Sequence, residues 1–233
     1  MLPPPNLIRK EGYTVADDSA VGTKFRYLEN EVANTPLKHI FSLATGWGAS
    51  EDVLTALCKE YDKQLHLLYP QIPGGSHSTA RSRAFENGVH IEEIPTTDPR
   101  EARAVGNEKA KKNNGKLIVL SGDKLLYSYA QAAQSLDFEP DIVVTASSSG
   151  MLCSGLQITW RKAIHETLVV LKLPNANMGN AIVHFSTQEL SEPSTIIPPF
   201  PCNLHFEGKA WEWLLHHKKP SENILFWNSA GPN

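Results

Sequence analysis

The sequence is short of cysteine, and the cysteines it has are not placed where that residue usually does chemistry. Cys58, Cys153 and Cys202 are the only three in 233 residues. There is no CxxC pair and no His/Cys cluster at zinc-ligand spacing, which removes disulfide scaffolds and common zinc modules. Three scattered thiols without a signal-peptide pattern point to a reducing cytoplasm. No apolar run reaches the length of a membrane span, so no membrane partner is expected. A basic excess is also missing. Twenty-two Lys and Arg face 25 Asp and Glu, a net charge of -3, so nothing advertises tight nucleic-acid binding. The local run Lys109, Lys111 and Lys112 reads as the solvated face of a helix. Internal repeats, low-complexity tracts and Walker A spacing are absent.

What remains is an ordinary globular composition, 41% hydrophobic and 20% charged. It suffices for one large domain or two small lobes sharing a cleft. The organisation is alternating. Residues 38–44 form a strand-length apolar run ending in Thr45-Gly46-Trp47-Gly48. Residues 49–61 then place Val53, Leu54, Leu57 and Tyr61 at helical spacing, with Ser50 as N-cap. Residues 64–69 form the next strand, which makes a parallel βαβ unit. Further strands are predicted over 89–94, 115–120, 141–146, 167–173, 181–185 and 223–227. Helices are predicted from about Phe25, over 99–113 and 125–136, from the Ser147–Gly150 turn to Trp160, and over 211–216. The prolines at 193, 198, 199 and 201 mark a long loop. The fold class is α/β, a mostly parallel sheet flanked by helices.

In such sheets ligands bind beyond the carboxyl ends of strands. Three of these ends carry small-residue turns: Thr45–Ser50, Ser147–Gly155 and Asn228–Gly231. The middle one joins a buried, β-branched strand to a helix. Backbone N–H groups at a helix start and three adjacent serines suit a phosphate, and equally an ordinary capped turn. Gly155 would allow the helix to pack closely on the sheet. Lys24 follows Gly22-Thr23 at another helix start. By itself it reads as a solvated lysine or as a reactive amine. His184, His205, His216 and His217 lack carboxylates or cysteines at metal spacing, and read as core-edge or surface residues.

The ordered set of turns resembles fold type II pyridoxal-phosphate enzymes, most closely the aminocyclopropane-carboxylate deaminase and D-cysteine desulfhydrase branch. That branch carries an acidic segment followed by G-[GN]-x-K-x-R-x-L-E. The stretch DDSAVGTKFRYLE keeps the order, with Lys24 in the lysine position and Arg26, Leu28 and Glu29 in step. HIFSLATGWGASEDVL resembles the family's strand and glycine turn. VVTASSSGMLCSGL resembles its phosphate loop, and ENILFWNSAG its last strand and turn. Two positions depart. Glu51 stands where the family has Asn, and Met151-Leu152 where it has Ser-Thr.

The resemblance implies a single catalytic unit over residues 1–233, with a small lobe at about 38–130 and a reduced second lobe. It implies pyridoxal 5'-phosphate as cofactor and Lys24 as the Schiff-base residue, with Ser50 beside it as a catalytic residue. Thr45, Gly46, Trp47, Gly48, Ser147, Ser148, Ser149, Gly150, Met151, Ser154 and Ser229 would bind the cofactor. Ser229 would meet the pyridine nitrogen, and a hydroxyl there implies a neutral ring that favours elimination-type chemistry. Trp47 or Tyr127 would cover the ring. The expected substrate is an amino acid or amino-acid adduct, and a homodimer is the family's common form. One variant is trimming or decarboxylation of an amino acid attached to thymine in viral DNA, in the host cytoplasm, because a shortened chain suits a bulky substrate. Two other classes stay in view: a phosphoribosyl- or nucleotide-binding enzyme using Ser147–Gly155, and a cofactor-free binding module.

Overall fold

The computed structural model describes residues 3–18, 22–44, 50–71, 79–120, 122–171, 173 and 176–229. The chain divides into two compact units, one of Met1–Thr23 with Ser121–Pro232, the other of Lys24–Leu120. In both, helices flank a mostly parallel sheet.

The first unit is a six-stranded sheet. Its strands are β1 (Asn6–Lys10), β2 (Tyr13–Asp17), β7 (Ile142–Ser147), β8 (Ile164–Val169), β9 (Ile182–Phe185) and β10 (Ile224–Asn228), in the order β1-β2-β10-β7-β8-β9. Only β1 is antiparallel to its neighbour. The helices are α5 (Asp123–Gln134), α6 (Met151–Thr159) and α7 (Glu207–His217). The period-2 alternation of the strands divides the core. Val15, Val144 and Phe226 pack with Trp211 and Leu214 of α7. Ala16, Val143, Leu225 and Trp227 pack with Ala132 and Ala133 of α5 and Leu156 of α6. The last strand lies inside the sheet between β2 and β7, and all five of its residues are buried.

Several boundaries differ from the sequence reading, each for a tertiary reason. The β1–β2 hairpin carries no sequence signal, because Arg9, Lys10 and Glu11 read as surface charge. Its two-residue turn holds Glu11 at φ 51° and Gly12 at φ 83°, the paired positive values of a type I′ hairpin. Strand β8 starts at Ile164 and ends at Val169, earlier than the predicted 167–173. His165 and Glu166 look like loop residues in sequence. In the fold, His165 Nε2 meets the Trp160 carbonyl at 2.9 Å, while Glu166 takes Lys218 Nζ at 2.5 Å and His184 Nε2 at 2.9 Å. These partners let a polar pair occupy a buried strand. Gly155 packs against α5 and not against the sheet: a Cβ there would stand 2.7 Å from Tyr129 Cβ. Helix α7 begins at Glu207, ahead of the predicted Trp211.

The proline-rich segment before α7 is held by one carboxylate. Glu212 accepts from Ser194 Oγ at 2.8 Å, Thr195 N at 2.9 Å and Gln188 Nε2 at 3.3 Å. Burial pushes its carboxyl up, but the hydrogen bonds from Thr195, Ser194 and Gln188 outweigh that and hold it at about 2.

The second unit is a four-stranded parallel sheet of β3 (His39–Leu43), β4 (Gln64–Pro70), β5 (His90–Ile94) and β6 (Gly115–Ile118), in the order β5-β4-β3-β6. Its helices are α1 (Thr23–Ala33, entering the unit at Lys24), α2 (Ser50–Glu60), α3 (Thr79–Glu86) and α4 (Pro99–Lys112). β3, α2 and β4 form the parallel βαβ unit expected from sequence. Asp98 caps α4 by accepting from Arg100 N at 2.8 Å, with Pro99 in the first turn. Phe41, Leu68, Ile94, Ala102 and Ala110 form the core beneath α4. Helix α3 is not readable from sequence, because it lacks an apolar stripe. Arg83 ties it to α2, with Nε 3.0 Å and Nη2 2.7 Å from the two carboxylate oxygens of Asp52.

Three imidazoles line up across this sheet. The His66 ring lies 5.3 Å from His39 and 5.1 Å from His90, and stacks 4.3 Å from Phe41. Burial, then the neighbouring His90 and His39, lower the His66 value to about 4, against an opposing pull from Glu92.

Two adjacent pH windows follow from these groups. His66 is neutral in the fold and takes up a proton on unfolding. Its contribution is therefore complete above about 6.5 and is lost as pH falls toward 4. Denaturant titrations should show this slope, and His66→Phe should flatten it. Glu212 is ionised in the fold, so its contribution is complete above 4.5 and is lost as pH falls toward 2. Glu212→Gln should remove that second slope and lower stability at neutral pH.

Candidate functional site

β2, β10, β7, β8 and β9 run in one direction, so their carboxyl ends share one edge of the six-stranded sheet. Chain order reverses between β7 and β10. β7 continues through α6 to β8 on one side, and α7 leads into β10 on the other. Such a reversal opens a crevice at the carboxyl edge. Asp17, Asn228 and Ser147 end the three strands that flank it.

Two hydrogen bonds fasten the start of α1 to this edge. Thr23 N donates to the Ser229 carbonyl at 3.0 Å, and Trp227 Nε1 donates to Thr23 Oγ1 at 3.0 Å. Thr23 is buried. Gly22, at φ 83°, donates its N–H to the Asp18 carbonyl. That left-handed conformation is cheap only for glycine. Lys24 is the next residue in the chain and is half-buried.

The serine loop follows β7. Ser147 is buried, and its Oγ accepts from Thr167 Oγ1 at 2.7 Å, which joins it to a ladder with Thr145 behind the loop. Ser148 and Ser149 are half-buried. Gly150 is the N-cap of α6 at φ 81°. A Cβ there would lie 2.1 Å from the Asn177 carbonyl oxygen, so both conformation and space require glycine. Asn177 N donates to the Ser149 carbonyl at 3.0 Å, Ser154 Oγ to the Asn177 carbonyl at 2.9 Å, and Gln157 Nε2 to the Met178 carbonyl at 2.8 Å. Residues 177–180 are thus strapped onto α6. Met151 N donates to Ser149 Oγ at 3.5 Å, the following N–H groups of the first helical turn have no intrahelical acceptor, and the helix dipole aims positive charge there. Ser148, Ser149 and these amides form a donor set that fits a phosphate. The Ser154 hydroxyl is committed to Asn177 as donor and keeps only its acceptor capacity.

At the end of β10, Ser229 Oγ donates to Glu207 Oε1, a buried carboxylate at the first residue of α7. Asn228 Nδ2 donates to Asp17 Oδ1 and to the Pro201 carbonyl, both at 2.8 Å, while its fully buried Oδ1 has no partner among the described residues. Burial, then Glu207 and Asp17, push the Cys202 thiol up to about 12. Burial also pushes Cys58 up to about 12 and raises Cys153. None of the three is a poised thiolate.

Ser50 lies in the second unit as the first residue of α2, inside the helix where an N-cap was predicted, and its hydroxyl turns forward to Glu51 Oε2 at 3.1 Å. Glu51 is buried. Thr45, Gly46, Trp47 and Gly48 fall outside the described residues. Tyr127 stands 60% exposed on α5. Among the described residues no group of three or more His, Cys, Asp or Glu can hold a metal, and no helix is long and apolar enough to cross a membrane. Glu207 and the strap at 177–180 escape a reading of the sequence. Neither carries a motif, and both act on residues more than 20 positions away.

No protein-family model and no curated protein matches the chain. Solved structures do. A structure described as an ACC deaminase homologue superposes with a TM-score of 0.70 at 14% identity, covering 98% of this chain and 92% of that one. A threonine deaminase from T.th. gives 0.69 at 11%, covering 95% and 87%. A pyridoxal 5'-phosphate-dependent aspartate racemase gives 0.67 at 11%, covering 98% and 90%. The shared property is the fold, the fold type II architecture.

Gly150→Ala should cost about 1–2 kcal/mol from the left-handed backbone alone, and more because Asn177 must move. Denaturant titration reads the stability. Loss of inorganic phosphate or pyridoxal phosphate binding in the same variant would report displacement of the serine loop.

Proposed function

We propose that this chain is a pyridoxal-phosphate-dependent enzyme acting at the α-carbon of an amino acid or amino-acid adduct, with Lys24 as the lysine that carries the cofactor. The observation that carries this reading is the double tether of Thr23. It holds Thr23, the residue before this amine in the chain, at the carboxyl edge of the sheet whose β7 leads into Ser148, Ser149 and the α6 amides. The fold shared with an ACC deaminase homologue, a threonine deaminase and a racemase supports it. The phosphoribosyl alternative lacks acidic residues before its loop, since Ile142–Ala146 supplies none.

The cofactor, when bound, draws electrons from the substrate's α-carbon. The protein's part is positional. Ser148, Ser149 and the backbone amides that open α6 would hold the phosphate, on a loop whose Gly150 lies too close to the Asn177 carbonyl for any other residue. Ser229 would face the ring nitrogen. Lys24 Nζ would hold the cofactor, and its amine would hold or move a proton at the α-carbon. Ser50 is assigned a supporting catalytic role through its hydroxyl. Lyase, deaminase, decarboxylase and racemase outcomes share these residues and differ in which bond to the α-carbon is broken.

Purified protein supplied with pyridoxal phosphate should turn yellow. Borohydride should fix the cofactor covalently to Lys24, readable by peptide mass. Lys24→Ala should stay colourless and lose activity by at least about 100-fold. A wild type that neither colours nor retains cofactor after reduction defeats the reading. Product analysis with free L- and D-amino acids, and with DNA carrying an amino acid on thymine, then separates the substrate classes.

A further inference from the structure

The Ser229 hydroxyl has one proton, and an ionised carboxylate within hydrogen-bond reach can only accept it. Ser229 Oγ donates to Oε1 of Glu207. Glu207 is 5% exposed and sits at the first residue of α7, where the helix dipole favours a carboxylate. A hydroxyl whose proton is committed presents only lone pairs to any further partner. Ser229 is therefore an acceptor at its open side, and a neutral pyridine nitrogen, itself only an acceptor, has nothing to offer it.

Two further acidic residues lie at the end of β2, the strand beside β10. Asp17 ends β2, and Asp18, 2% exposed, follows it and donates its N–H to the Asn228 carbonyl at 3.0 Å. Asn228 Oδ1 is fully buried and without a donor among the described residues.

We propose that Glu207 fixes the polarity of the Ser229 hydroxyl, so that Ser229 accepts a hydrogen bond from the cofactor's ring nitrogen and holds that nitrogen protonated. Glu207 acts through Ser229 and is a positioning residue. The proposal rests on the pyridoxal-phosphate reading, and it reverses the neutral ring that a serine by itself implied.

The test is nitrogen NMR of protein loaded with pyridoxal phosphate labelled with nitrogen-15 in the ring. Wild type should resonate in the upfield pyridinium range and stay there at mildly alkaline pH, where the ring of the free cofactor has lost more of its proton. Glu207→Gln can donate its amide to Ser229 Oγ and turn the hydroxyl toward the ring, so its resonance should move downfield to the neutral range. Ser229→Ala should move the same way. A wild-type resonance in the neutral range overturns the proposal even if no variant folds. So does a Glu207→Gln resonance that matches wild type. Both outcomes leave the Lys24 reading standing, because the protein is coloured and reducible onto Lys24. Failure to bind the cofactor at all sinks the reading first, and this proposal with it.

Discussion

The carboxyl edge of the larger unit depends on the insertion of β10 between β2 and β7. A strand from the end of the chain fills the gap between one from its beginning and one from its middle, with every residue buried. Without it, β2 and β7 would present unpaired edges and Phe226 and Trp227 would leave their two cores. With it, the Ser229 carbonyl and the Trp227 indole become the anchors for Thr23. The position of Thr23 on the sheet edge is thus set by contacts more than 200 residues away in sequence.

The same edge separates two electrostatic characters on neighbouring strands. Beyond β7, the amides of α6 and the serine hydroxyls are donors and suit an anion. Beyond β2 and β10, Asp17, Asp18 and Glu207 are carboxylates, and Asn228 turns an unused acceptor into the interior. The buried Thr145–Thr167–Ser147 ladder supports the donor side, because it fixes the last residue of β7 without using up Ser148 or Ser149.

The smaller unit uses polar contacts differently. Its sheet is wholly parallel, and its elements are joined by charged pairs such as Arg83–Asp52 and Lys109–Glu92. The row of His39, His66 and His90 places three titratable rings on one sheet face. The central ring, His66, has its pKa lowered by burial and then by its two neighbours.

The sequence by itself determined the alternation of strands and helices wherever apolar period was clean. Ile142–Ala146, with five apolar or β-branched residues, could only be a buried strand, and residues 49–61 carried an unmistakable helical stripe. It also determined which strand ends carry small residues. It could not reveal β1, the start of β8 or helix α3, because charged residues there are stabilised by partners distant in the chain: Lys218 and His184 for Glu166, Asp52 for Arg83. Tertiary structure decided how the candidate site's hydroxyls are used. Ser147 turns into the core, Ser154 serves the strap, and Ser229 gives its proton to Glu207. Residue type fixes what a hydroxyl can do, but only the neighbours supplied by the fold decide whether it donates or accepts.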